Sequence, residues 1–152
     1  MRYRFRLWGT LTLSALIAAV AARGAPSNEP TVEELKGRVA STNLRDRPHL
    51  CVQIAEKQLT EADKFYAASE VEKGQAALTD VVAFSELARD YAIQSHKYQK
   101  QTEIATRNMA RKLTDLLHSL GGEDQIPVRN AIKRLQRVRD DLLASMFPKG
   151  AK

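Results

Sequence analysis

Residues 77–109 read ALTDVVAFSELARDYAIQSHKYQKQTEIATRNM. Within this stretch Ala77, Val81, Phe84, Ala88, Tyr91, Ser95, Tyr98, Thr102, Ala105 and Met109 recur in alternating steps of four and three, and none is charged. That spacing keeps one stripe of an α-helix facing a single partner, the pattern of a coiled-coil seam. Gly74 is the only Gly or Pro between residues 49 and 120. Nothing in the local chemistry therefore obliges the chain to stop before Gly121-Gly122. At about 1.5 Å per residue, an unbroken helix from 70 to 119 would span roughly 75 Å. The seam is thin in its middle, where Gln94 to Glu103 offers only Tyr98 as a large apolar side chain. A break near Ser95–Lys97 would allow closure into a compact four-helix bundle. A polar stretch without Gly or Pro argues only weakly for a break, so the continuous helix is the expected form.

The flanking segments are helical too. Thr31 with Glu34 is a capping-box pattern ahead of a short helix from about Val32 to Ala40, which has few apolar residues and is expected to be loosely held. Asp46 and Pro48 mark a helix start, with proline tolerated in the first turn. Cys51, Ile54, Ala55, Leu59, Ala62, Phe65 and Tyr66 then place apolar side chains on one face of a helix to about Ala68. Ser69 with Glu72 reads as a second capping box after a tight turn. Gly121-Gly122 supplies a C-terminal stop. Asp124 and Pro127 open a last helix with a stripe of Val128, Ala131, Ile132, Leu135, Val138, Leu142 and Met146. Phe147, Pro148 and Gly150 close it.

Short connections make successive helices antiparallel neighbours. The expected fold is all-α: two outer helices packed end to end along one long central helix, as extended antiparallel hairpins. The compact four-helix bundle is the alternative. An open layout of this kind cannot enclose its core, so part of the 77–109 seam would face solvent, a partner or a second copy.

The N-terminus addresses location. Arg2, Arg4 and Arg6 precede an apolar run from Leu7 to Ala22, and Gly24 and Ala25 follow. Charge, apolar run and small residues in that order are the layout of a secretory signal peptide. The run is short for a bilayer core, which needs about 20 apolar residues. The expected division is a signal peptide over 1–25, a flexible leader with a short helix over 26–47, a helical domain over 48–148 and a basic tail over 149–152. The working chain is expected to be exported, periplasmic or secreted, and to meet the membrane only transiently through its signal. An uncleaved signal anchor is the alternative.

The formal charge of +6 overstates the basicity of such an exported chain. Arg2, Arg4, Arg6 and Arg23 lie in the signal, which leaves 20 basic residues against 18 acidic ones. The charge is also unevenly spread. Residues 56–90 hold eight acids and four bases, whereas residues 97–139 hold ten bases and four acids. Arg107, Arg111, Lys133 and Arg137 are candidates for one basic surface on the second hairpin, because an antiparallel register sets 107 near 137 and 111 near 133. Such a surface would attract anionic lipid, polymer or an acidic protein. Aromatic residues do not interleave with the bases, which argues against nucleic acid.

No motif carries catalysis. His49, His96 and His118 are far apart, there is no CxxC or HxxxH, and no GxSxG or phosphate-cradling loop occurs. No cofactor or metal is expected. Cys51 stands alone, so it is either a buried small hydrophobe or the source of an intermolecular disulfide. The segment from Ala62 to Ala92, with Tyr66, the Ala68–Glu70 turn and Ala76/Ala77, resembles one tetratricopeptide hairpin. No second copy follows, although a solenoid needs about three, and nothing is carried over from the resemblance. The expected role is a non-enzymatic scaffold or adaptor acting through coiled-coil-like packing, self-association included, with Val81, Phe84, Ala88, Tyr91, Tyr98 and Met109 on the seam. The alternative is an envelope-binding protein that uses Arg107, Arg111, Lys133 and Arg137.

Overall fold

The computed structural model describes residues 29–148, all-helical apart from turns and connections, with no strand among them. Residues 1–25, expected to be a signal peptide, and the tail 149–152 lie outside the described residues. Five α-helices follow in order: α1 (Val32–Val39), α2 (Arg47–Ala67), α3 (Val71–Ser95), α4 (Gln99–Ser119) and α5 (Gln125–Met146), with a 3₁₀ turn at Gly122–Asp124 before α5.

The continuous central helix does not form. It is cut at His96–Tyr98, where His96 (φ 54°) and Tyr98 (φ 61°) both adopt left-handed backbone. Each such residue costs about 1–3 kcal/mol outside glycine. Local bonds ease the turn: the Ser95 hydroxyl donates to the Tyr91 carbonyl at 2.6 Å and accepts the Lys97 amide at 3.3 Å. The Tyr98 ring stacks on His49, with centroids 5.8 Å apart. The return is burial. Met109 and Leu113 on α4 are fully sequestered, each contributing about 1.5–3 kcal/mol. An exposed half of a rod would forgo that gain.

The compact bundle therefore forms, with α2, α3, α5 and α4 arranged in that order round the core. Within α4/α5 the helices run antiparallel: Gln99 bonds Ser145 and, one turn along, Glu103 bonds Arg139. Between α3 and α5 they run parallel, since Glu86–Arg134 and Arg89–Asp141 keep a nearly constant sequence offset of 48 and 52. The core joins Leu59, Ala62, Val81, Met109, Leu113, Val128 and Leu135 from all four helices.

The ends of the elements differ in how closely they follow local signals. The Thr31/Glu34 capping box forms at α1, with bonds of 2.9 and 3.3 Å. At α3 the expected box is absent: Glu70 is the N-cap with no side-chain bond, and Ser69 spends its conformation on a left-handed turn (φ 60°). At the end of α4, Gln125 Nε2 donates to the Leu120 carbonyl at 2.7 Å. Only Gly122 of the glycine pair is left-handed (φ 53°), and it opens the 3₁₀ turn rather than capping α4.

The short first helix is docked rather than loose. Leu35 is 1% exposed and packs with Leu50 and Ile54. Lys36 donates to Asp80 on α3 at 2.7 Å and lies 5.7 Å from the Phe84 ring centroid. The hydrogen bond to Asp80 holds the Lys36 ammonium above its ordinary 10.5. Leu35 and the bridged Lys36 both enter the α2–α3 groove, with Val32 and Val39 packed at the edge of the same cluster.

At the α2–α3 turn the Tyr66 ring lies flat against Gly74. A Cβ at position 74 would sit 2.8 Å from Tyr66 Cε2. Gly74→Ala should therefore destabilise the protein by roughly 1–3 kcal/mol, despite alanine's better helix propensity; thermal unfolding that rises on this substitution would contradict the packing. Small-angle scattering of the domain should give a radius of gyration of roughly 14 Å, the value for a compact chain of this size, and not that of a rod.

Candidate functional site

The seam residues are spent inside the chain. Val81 and Ala88 are fully buried and Met109 is 2% exposed. Phe84 is half-buried beneath Lys36. Tyr91 is half-buried with the Arg47 guanidinium 5.3 Å from its ring centroid, and that guanidinium also donates to the Thr42 and Ala40 carbonyls at 3.0 Å each. Tyr98 leaves the seam altogether, since the turn carries it onto His49. The expectation that this stripe lies open to a partner is corrected. Once the helix breaks, α4 and α5 return to cover the face of α3 that a rod would have left bare.

The four cations named from the sequence fare differently. Arg107, Arg111, Lys133 and Arg137 are all exposed. The Gln99–Ser145 and Glu103–Arg139 bonds set the α4/α5 register. Continued by one and two turns, that register brings 107 level with 137 and 111 level with 133. Among the described residues none of the four forms an ion pair.

Other charges are neutralised where the two hairpins meet and between α4 and α5. Arg134 makes a two-pronged contact with Glu86, at 3.0 and 2.7 Å. Arg89 bridges Asp141 at 2.9 Å. Arg139 Nε donates to Glu103 at 2.6 Å, and Glu103 is only 6% exposed. A carboxylate so deep requires that partner, because an unpaired buried charge is costly. Of the polar middle of the expected rod, Thr102 and Glu103 are thus interior, while Gln94, His96, Lys97, Lys100 and Gln101 stay exposed. Glu103 was hidden from sequence reasoning because its partner lies 36 residues away.

Two features outside the named residues stand out. Between α2 and α4 a groove of about 480 Å³ is lined by Leu59, Thr60, Asp63, Lys112, Asp115, Leu116 and Ser119. No His or Cys lines it. At the end of α5, the half-buried Leu143 and the exposed Ala144 and Phe147 line a surface hollow with Asp140. Their signal was present as steps of three and four, but Phe147 read as a stop beside Pro148.

Among the described residues no group of three His, Cys, Asp or Glu side chains could hold a metal ion, and no helix is long and apolar enough to cross a membrane. His49 reaches Gln53 at 3.1 Å and Tyr98, while Cys51 packs with Val52, Ala88 and Ala105. No protein-family model matches the chain, and no curated protein or solved structure matches it significantly.

Cys51 is fully buried. Burial pushes its thiol up to about 11, from an ordinary 9.0, with Arg47 pulling weakly the other way. The folded state therefore holds the proton more tightly than the unfolded chain. This contribution to stability is complete below about 9 and is lost as pH rises towards about 11. Cys51→Ala should flatten that part of the alkaline stability profile relative to the parent in denaturant melts. A thiol reagent should label Cys51 only on unfolding; rapid labelling of folded protein would contradict its inert placement.

Proposed function

We propose that this chain is an exported, non-enzymatic helical adaptor that works by surface contact, with the outer face of α4 and α5 as its contact surface for an anionic partner. The observation that carries the reading is the set of four exposed cations, Arg107, Arg111, Lys133 and Arg137, level in pairs and without ion-pair partners among the described residues. Arg134 and Arg139 on the same two helices are by contrast paired, with Glu86 and Glu103. Unpaired charges of one sign on neighbouring helices raise the local potential and concentrate counter-charges.

Self-association along the 77–109 seam has lost its physical driver, because exposing Val81 or Ala88 would require opening the bundle. The non-enzymatic part of the proposal is supported by the sequence, in which His49, His96 and His118 stand far apart and no catalytic motif occurs. Export is supported by the Arg2–Ala25 sequence pattern alone.

The test is a binding isotherm on a soluble polyanion such as dextran sulfate, across a salt series. Affinity should fall steeply with ionic strength. Replacing Arg107, Arg111, Lys133 and Arg137 together with Gln should weaken it by roughly a hundredfold or more at low salt, at about 1 kcal/mol per cation. Replacing Lys57, Lys64 and Lys73 on the acidic half should leave it nearly unchanged. Equal losses in the two variants would reduce the effect to net charge and remove the α4–α5 face from consideration.

A further inference from the structure

The basic face does not end in solvent-loving residues. Leu143 and Ala144 lie one turn before Phe147 at the end of α5, and the three line, with Asp140, a surface hollow of about 660 Å³. Phe147 is 71% exposed, the largest value for a big apolar side chain among the described residues. The Gln99–Ser145 bond (3.1 Å) fixes this end of α5 beside the start of α4. The His49–Tyr98 stack ties the first turn of α2 to the same pole. Phe147 and the partly exposed Tyr98 therefore share one end of the molecule with the exposed Lys97 and Lys100. Of the two acids at the end of α5, Asp141 is already engaged by Arg89.

A polyanion in solution could use the cations but would gain nothing from the exposed Phe147 and the half-buried Leu143 beside it. A bilayer surface uses both. Anionic headgroups attract Lys and Arg at about 1 kcal/mol each, and apolar side chains enter the boundary between headgroups and acyl chains. A ring with cationic neighbours a turn or two away fits that layered environment, where aromatic groups settle at headgroup depth.

We propose that the anionic partner of the α4–α5 face is a phospholipid bilayer surface, gripped at the pole by Phe147 and Leu143 while Lys97, Lys100 and Arg107 meet lipid phosphates. This inference rests on the electrostatic reading above and adds the identity of the surface.

Co-sedimentation of the purified protein with three probes separates the two claims: vesicles of phosphatidylglycerol and phosphatidylcholine, vesicles of phosphatidylcholine alone, and soluble dextran sulfate. The expected result is binding to the anionic vesicles, little to the neutral ones, and a roughly tenfold loss of vesicle binding in Phe147→Ser, with dextran sulfate binding unaltered. Phe147 lies outside the core, so its replacement should leave the melting temperature in place; Phe147→Leu, which keeps an apolar anchor, should restore most of the vesicle binding. Dextran sulfate binding without vesicle binding would overturn the lipid inference and leave the basic face standing. An unchanged Phe147→Ser, or one that loses both ligands equally, would overturn it as well. Failure to bind either anionic probe would overturn the inference and the basic face together.

Discussion

Three residues, His96, Lys97 and Tyr98, reverse the chain between α3 and α4, and the bundle exists because that reversal holds. Two left-handed residues without glycine make it an unfavourable turn taken alone. It persists because α4 carries Thr102, Ala105, Met109 and Leu113 into a core that α2 and α3 leave open. The balance is decided by area: a few kcal/mol of backbone strain stands against several fully buried side chains. The same reversal removes the apolar strip that a rod would have presented to partners.

Closing the bundle also redistributes charge. Folding one hairpin against the other lets Arg134 and Arg89 find carboxylates on the neighbouring hairpin, while within the α4/α5 hairpin Glu103 turns inward against Arg139. What remains on the outside is a smaller and better-defined set of cations than the sequence tally suggests. The uneven charge of the chain is thus partly an internal adhesive between hairpins and partly an outward field. Only the second part is available for recognition. Its meeting with Leu143 and Phe147 at one pole combines two forces, long-range attraction and short-range apolar contact, that act at different distances from a surface.

Legibility varied with the range of the interactions concerned. The apolar stripes of α2 and α5, the capping box at Thr31 and the proline-marked helix starts were plain, since each depends on residues within one or two turns. The Ser69/Glu72 box failed because the turn took Ser69 into left-handed backbone before its hydroxyl could cap. The cations at 107, 111, 133 and 137 were legible as an exposed group because charged residues off the stripe have nowhere else to go. Phe147 was not, since an apolar residue next to a terminating proline is ambiguous between a plug and an anchor.

By itself the sequence determined that the described chain would be helical, where most helices would begin and end, and which side of each would be apolar. These follow from periodicity and local hydrogen bonding, which do not require knowledge of the partner. Whether residues 70–119 would be one helix or two could be decided only in three dimensions. The strain at His96 and Tyr98 is local, but the burial that offsets it comes from side chains on other helices, far along the chain. The same holds for α1, whose one leucine and one lysine look too few to dock until Leu50, Ile54 and Asp80 are assembled into a place for them.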